Sequence, residues 1–165
     1  KKKIIKTGKK NIIEISKSIG SDVILGLNFT NSILTSTNKI KLFRKYKVFY
    51  ALIVKPNFGC STKQIYSNVK KFNKPKIKQP LKKMFDLNCL KKMDNSLEQI
   101  ALLKYPKLRL IKSYLESLGE PVFVRMTGSG SALVAYFKSK ERCISAKKMF
   151  NKKYKNYWCI ASKNI

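Results

Sequence analysis

Histidine is absent from the 165 residues, and this absence excludes several common kinds of catalytic site. Serine or cysteine nucleophiles that need a histidine base, and metal sites built on imidazole, cannot be formed from this chain. Acidic groups are scarce as well, with 8 carboxylates against 37 lysine and arginine side chains. Acid–base chemistry must therefore use one of a few groups, which are Glu14, Asp22, Asp86, Asp94, Glu98, Glu116, Glu120 and Glu141.

Long apolar runs and closely spaced cysteines are also missing. The longest apolar run, residues 48–54, is far shorter than the roughly 20 residues that a membrane-spanning helix needs. Cys60, Cys89, Cys143 and Cys159 are widely spaced and form no C-x-x-C pair. We interpret them as small buried hydrophobic residues in a reducing cytoplasm rather than as a disulfide framework or a zinc site. We expect a cytoplasmic protein without a membrane partner.

The formal net charge of +29 is the strongest compositional feature of the chain. A basic domain is the usual electrostatic signature of nucleic-acid binding. Only four of the basic residues are arginine, however, and arginine is the side chain that reads phosphates and bases best. The lysines are spread over the whole chain and occur with many Asn, Ile, Phe and Tyr, residues that share A/T-rich codons. We expect no nucleic-acid partner and keep a basic RNA-binding module as the alternative.

A glycine-rich segment, Arg125-Met126-Thr127-Gly128-Ser129-Gly130-Ser131, lies between two apolar runs. This order predicts a strand, a tight turn and a second strand. Glycine permits backbone angles closed to other residues and lets a ligand approach the main chain, and exposed N–H groups in such a turn can bind an anion. A polar hairpin loop without a ligand is the alternative interpretation.

The pattern of apolar and turn residues predicts a mixture of helices and strands. Helices are expected at 11–19, from Ser61-Thr62 to 69, at 81–92, from Asn95 or Ser96 to 103, at 107–118 and at 139–151. Strands are expected at 33–40, 48–54, 121–124, 132–137 and 157–162, the second of them buried on both faces. The order suits an α+β sandwich, an antiparallel sheet with helices on one face, and a domain boundary near residues 41–47.

Four short segments, taken together, resemble the GHMP small-molecule kinases. They are Ile19-Gly20-Ser21-Asp22-Val23, Val54-Lys55-Pro56 with Ser61-Thr62, Asn95-Ser96-Leu97-Glu98, and the glycine segment at 125–131. The resemblance implies that residues 1–44 end an N-terminal ATP-binding domain. It implies that residues 45–165 form the C-terminal domain, a ferredoxin-like α/β sandwich. The third segment is interpreted as a helix start without a catalytic role.

The resemblance also implies site residues. Asp22 corresponds to the catalytic aspartate of the family, and a positioned carboxylate can take the proton of an attacking hydroxyl. Thr127, Gly128, Ser129 and Gly130 would form a phosphate-proximal glycine loop, and no protein ligand to a metal is expected. Thr62 and Tyr66 would contact the substrate, with Tyr66 stacking on a base. The chain departs from the family pattern after Asp22, where Ile24 replaces the usual proline and Leu25 the usual aromatic residue.

Within the family, the segments are most similar to those of the enzymes that act on 4-diphosphocytidyl-2-C-methyl-D-erythritol. This implies ATP with Mg²⁺ as co-substrate and phosphorylation of the 2-hydroxyl of the methylerythritol unit in isoprenoid precursor synthesis. Kinases of the mevalonate or homoserine type remain the alternative. The family's N-terminal lysine and its glycine/serine-rich ATP loop are not found, and the sequence opens on Lys1-Lys2-Lys3. We therefore expect a truncated kinase that is inactive alone.

Overall fold

A computed structural model describes residues 8–20, 23–27, 30–35, 39–44, 47–70, 77 and 79–164. These residues divide into two compact units. The first contains the described residues before 47 together with 77 and 79–82, and the second contains 47–70 and 83–164.

The first unit contains one helix and a two-stranded hairpin. Helix α1 (Lys9–Ile19) ends at Gly20, as predicted, and is followed by a 3₁₀ turn at Val23–Leu27. Strands β1 (Asn31–Leu34) and β2 (Ile40–Phe43) pair antiparallel, with Leu34 opposite Ile40. The prediction of a single strand over 33–40 is therefore wrong. The polar residues that were expected to end a single strand instead lie between β1 and β2. The Thr35 N–H donates to the Lys39 carbonyl at 2.9 Å and joins the ends of the two strands.

The second unit has four strands and five α-helices among its described residues. In chain order they are β3 (Tyr50–Lys55), α2 (Thr62–Ser67), α3 (Leu87–Lys92), α4 (Glu98–Lys104), α5 (Pro106–Glu116), β4 (Phe123–Met126), β5 (Leu133–Phe137), α6 (Lys140–Lys153) and β6 (Trp158–Lys163). A 3₁₀ turn at Lys82–Phe85 precedes α3. The predicted helix over 81–92 is thus divided, because the Asp86 side chain accepts from the Asn88 N–H and caps α3 as a separate helix.

The strands form one antiparallel sheet in the order β4–β5–β3–β6. This order, with helices between β3 and β4 and between β5 and β6, is that of a ferredoxin-like sandwich. The predicted α+β class is confirmed. The turn between β4 and β5 is the glycine segment, so this topology brings it beside the end of the central strand β3.

Helices α5 and α6 cover one face of the sheet. Leu108, Ile111 and Leu115 from α5 and Cys143, Ala146 and Phe150 from α6 pack in one cluster with Leu52, Val54, Val124, Met126, Leu133, Ala135 and Phe137 from the strands. Leu52 and Val54 are fully buried, but Ala51 and Ile53 on the opposite face are only half-buried. The expectation that β3 is buried on both faces is therefore wrong, since α5 and α6 cover only one side of it.

Aromatic side chains line part of the second face of the sheet. The rings of Phe123 and Tyr136, directly opposite each other on β4 and β5, stack with centroids 4.4 Å apart. The Arg125 guanidinium lies 4.6 Å from the centre of the Phe123 ring, and the Phe49 and Tyr136 ring centroids are 5.8 Å apart. Burial raises the pKa of Tyr136, and the positive charge of Arg125 opposes this effect. Tyr136 therefore serves as a packing residue.

Candidate functional site

The glycine segment forms a tight turn between β4 and β5. The Gly130 N–H donates to the Thr127 carbonyl at 2.9 Å, and the Thr127 N–H donates to the Ala132 carbonyl at 2.9 Å. Gly128 and Gly130 have φ angles of 50° and 89°, both in the region that disfavours side chains. The predicted turn and the need for glycine at both positions are therefore confirmed.

The two glycines differ in their surroundings. A Cβ atom on Gly128 would meet open space, whereas one on Gly130 would lie 2.8 Å from the Met126 Sδ and 3.1 Å from the Cys60 Sγ. Met126 is buried in the core beneath the loop. Gly130 is thus required for packing as well as for its backbone angle, and Gly128 faces solvent.

Two predicted site segments meet at this loop. Thr62 is the first residue of α2, and its Oγ1 lies 2.8 Å from the Oγ of Ser129, 67 positions later in the chain. The N-terminus of α2 is held in place because the Ser61 N–H donates to the Tyr105 hydroxyl at 3.0 Å. Tyr66 lies one helical turn after Thr62 and is half exposed, so its ring is available to a ligand.

Lys55 connects the loop to the end of β3. Its ammonium donates to the carbonyls of Pro56 (3.1 Å) and Phe58 (3.0 Å) and to the Oγ of Ser131 (3.1 Å), so all three of its donors have acceptors. Ser131 is fully buried and donates in turn to the Phe58 carbonyl at 2.6 Å. Lys55 belongs to one of the segments that resemble the family, but no local sequence pattern predicts its three partners.

The segment Asn95–Glu98 holds the other side of the loop. The Asn95 side-chain amide donates to the carbonyls of Met126 (3.0 Å) and Gly128 (2.8 Å), and its oxygen accepts from the Leu97 N–H at 3.0 Å. The Glu98 carboxylate accepts from the Met126 N–H at 2.6 Å. The prediction of a helix start here is confirmed, since α4 begins at Glu98, but its N-cap is Leu97 rather than Asn95 or Ser96. The contacts of Asn95 and Glu98 with the glycine loop were not foreseen.

Arg125, the first residue of the glycine segment, points away from the turn. Its guanidinium donates to the carbonyls of Leu90 (2.8 Å), Lys91 (3.3 Å) and Met93 at the end of α3. These carbonyls lie in and just after the last turn of α3, where a helix leaves carbonyl groups without intrahelical partners. The Leu90 carbonyl also accepts from the Met93 N–H at 3.1 Å. Arg125 therefore stabilises α3 and does not extend toward the loop.

All four cysteines are free. Cys143 is buried, and Cys60, Cys89 and Cys159 are half-buried, so the prediction of full burial holds for one of them. Burial raises the pKa of the Cys60 thiol beneath the loop, an effect that the charge of Lys55 opposes. A raised thiol pKa lowers the fraction of reactive thiolate at neutral pH.

Asp22, the predicted catalytic base, lies outside the described residues. Among the described residues, no group of three carboxylate or cysteine side chains is placed to hold a metal ion. No described helix is long and apolar enough to cross a membrane. A groove of about 1070 Å³ runs beside β4 and α4. Asn95 and Glu98 line it, but Thr62, Tyr66 and the loop residues 127–130 do not.

The family model described as GHMP kinases C terminal matches residues 70–156, which is more than half of the chain. The chain belongs to the GHMP kinase family. This match includes Asn95, Glu98 and the whole glycine loop, so the contacts between them lie inside the family's C-terminal domain.

Two relatives of this chain have the same name. The 4-diphosphocytidyl-2-C-methyl-D-erythritol kinase of Pelagibacter ubique is 51% identical over 164 residues, covering 99% of this chain and 58% of that protein. The kinase of the same name from Syntrophomonas wolfei is 28% identical over 159 residues, covering 92% of this chain and 55% of that protein. The chain therefore spans a little over half the length of these relatives.

Two solved structures share the fold. A crystal structure of 4-(cytidine 5'-diphospho)-2C-methyl-D-erythritol kinase aligns with a TM-score of 0.68 at 21% identity, covering 91% of this chain and 56% of that one. A homoserine kinase from Cytophaga hutchinsonii aligns with a TM-score of 0.63 at 15% identity, covering 97% of this chain and 58% of that one. Both similarities support the GHMP kinase fold and leave the substrate open.

Proposed function

We propose that this chain is the later part of a kinase that transfers the γ-phosphoryl group of ATP to the 2-hydroxyl of 4-diphosphocytidyl-2-C-methyl-D-erythritol. The observation that carries the proposal is the 51% identity, over 99% of the chain, to a relative named as the kinase of that compound. The activity would belong to a chain of the length of those relatives, and the 165 residues alone would be inactive.

The proposal assigns residues 1–44 to the end of the ATP-binding domain and residues 45–165 to the C-terminal domain. Thr62 and Tyr66 would contact the cytidyl substrate, with Tyr66 stacking on the cytosine. Thr127, Gly128, Ser129 and Gly130 would border the phosphates. The 2.8 Å contact between Thr62 and Ser129 supports this assignment, because it joins the two predicted parts of the site.

Asp22 is proposed as the base. It would accept the proton of the 2-hydroxyl while that oxygen forms a bond to the γ-phosphorus and ADP leaves. Mg²⁺ would come with ATP, bound to its phosphate oxygens. Phosphoryl transfer depends mostly on positioning and on charge stabilisation, so loss of either the loop geometry or the base should lower turnover strongly. A cytoplasmic location is part of the same proposal.

The test is a coupled ADP-release assay on the complete kinase chain that contains these residues. The acceptors compared are 4-diphosphocytidyl-2-C-methyl-D-erythritol, homoserine and mevalonate. We expect turnover of the first compound, and turnover of homoserine or mevalonate instead would refute the substrate assignment. Asp22→Asn should lower kcat at least a hundredfold, whereas Glu141→Gln, a matched change on the exposed start of α6, should leave it unchanged. Near-normal kcat in Asp22→Asn would refute the base assignment.

A further inference from the structure

We propose that Asn95 is a positioning residue that directs the Ser129 N–H toward the phosphate side of the glycine loop, with Glu98 as its support. This inference rests on the proposed kinase function and assigns a role to a segment that the sequence marks only as a helix start. The observation behind it is that one side-chain amide binds two carbonyls of the loop, at 3.0 and 2.8 Å.

The direction of the Ser129 N–H follows from peptide geometry. In a trans peptide the carbonyl of one residue and the N–H of the next point in opposite directions. The Gly128 carbonyl points at the Asn95 amide, so the Ser129 N–H points away from Asn95. Within the part of the chain that the structure describes, this N–H has no hydrogen-bond acceptor. It is therefore a free donor whose orientation Asn95 sets.

The second Asn95 contact fixes the orientation of another peptide, the one that joins Met126 to Thr127. The Met126 carbonyl points at Asn95, so the Thr127 N–H points the other way and donates to the Ala132 carbonyl at 2.9 Å. That bond closes the base of the loop. With both carbonyls held on one side, rotation of either peptide would break a hydrogen bond to Asn95.

Glu98 and Lys112 hold this arrangement in place. Glu98 accepts from the Met126 N–H at 2.6 Å, and its other oxygen lies 3.7 Å from the Lys112 ammonium on α5. Both side chains are largely buried, with relative exposures of 18% and 16%. A charge-assisted hydrogen bond with little solvent around it resists displacement. The position of the loop is thus tied to two helices of the core.

The experiment compares Asn95→Asp and Asn95→Ser in the complete kinase chain, with Asn156→Asp as the control. An aspartate keeps the acceptor for the Leu97 N–H but turns a charged oxygen toward two carbonyls. A serine side chain is too short to reach both carbonyls, and its hydroxyl has only one proton to donate. Asn156 is exposed in the turn before β6, at the opposite edge of the sheet.

We expect Asn95→Asp and Asn95→Ser each to raise the KM for ATP about tenfold at pH 8, with kcat changed by less than about twofold. Asn156→Asp should behave as the wild type. A wild-type KM for ATP in both Asn95 variants, or a fall in kcat at an unchanged KM, would overturn the inference.

Amide hydrogen exchange by NMR on the same proteins separates this inference from the kinase proposal. Asn95→Asp and Asn95→Ser should speed exchange at Thr127 and Gly130 about tenfold at pH 8 and leave the β5 amides unchanged. If the wild type turns over none of the acceptors, the proposed function fails and exchange still tests the positioning role. If the Asn95→Asp chain does not fold, Asn95→Ser decides, and unchanged loop exchange in it refutes that role.

Discussion

The replacement Gly130→Ala tests whether the glycine loop is fixed by packing as well as by backbone angle. At φ 89° a residue with a Cβ costs roughly 1–2 kcal/mol relative to glycine. The added methyl would also lie 2.8 Å from the Met126 Sδ and 3.1 Å from the Cys60 Sγ. Overpacking of this kind costs about 1–3 kcal/mol, because the buried Met126 has to move within the core.

We therefore expect Gly130→Ala to lower the free energy of unfolding by about 2–4 kcal/mol, the sum of both costs less the entropy that alanine removes from the unfolded chain. Gly128→Ala is the matched control, since its φ is also positive but its Cβ would meet nothing within 4 Å. It should cost about 1 kcal/mol or less. The difference between the two variants isolates the packing contribution.

Urea unfolding followed by the fluorescence of Trp158 provides the measurement. Trp158 is the single tryptophan of the chain and lies on β6, in the same unit as the loop. The double variant Gly130→Ala, Met126→Ala should lose at least about 1 kcal/mol less than the sum of the single changes, because the truncated side chain makes room for the methyl. Equal losses for Gly130→Ala and Gly128→Ala would refute the packing argument.

Three further predictions concern the surroundings of the loop. Lys55→Met should lower the free energy of unfolding by about 1–3 kcal/mol, because its three carbonyl and hydroxyl acceptors lose a charged donor; in the same urea assay the exposed Lys148→Met should be neutral. Thr62→Val removes the hydroxyl that contacts Ser129 and should lower the free energy of unfolding by roughly 0.5–1.5 kcal/mol. Thr62→Ser keeps the hydroxyl, so equal losses in the two variants would contradict a role for this contact. Burial raises the pKa of the Cys159 thiol from 9.0 to about 11. Since the unfolded thiol ionises first, stability should fall as pH rises from 9.0 to about 11, and Cys159→Ala should flatten that fall in urea titrations.

Local signals in the sequence predicted the elements of the second unit well. The Ser139 Oγ accepts from the Arg142 N–H and starts α6, and Pro106 begins α5, as such residues do at helix N-termini. The division of 81–92 was missed because Asp86 can lie within a helix as well as cap one. The hairpin at 31–43 was missed because its short strands resemble one apolar run interrupted by polar residues.

The candidate site was predictable only in part, because its contacts join distant segments. Thr62 and Ser129 were assigned by family resemblance, and their 2.8 Å contact depends on the pairing of β3 with β5. The Asn95 amide meets the Gly128 carbonyl 33 positions away, which no local pattern encodes. Short-range rules identify which side chains can cap a turn, but the sheet order decides which turn they reach.

The contacts of Asn95 and Glu98 with Met126 also affect how readily another strand could pair with the edge of the sheet. Strand β4 is an edge of the sheet, and an edge with free N–H and carbonyl groups is a template for pairing with another chain. The Met126 carbonyl already accepts from the Asn95 amide, and the Met126 N–H already donates to the Glu98 carboxylate. A foreign strand would have to displace an amide and a charged carboxylate to pair there. The polar side chains that fix the loop thus also occupy the groups with which another strand would pair at this end of the sheet.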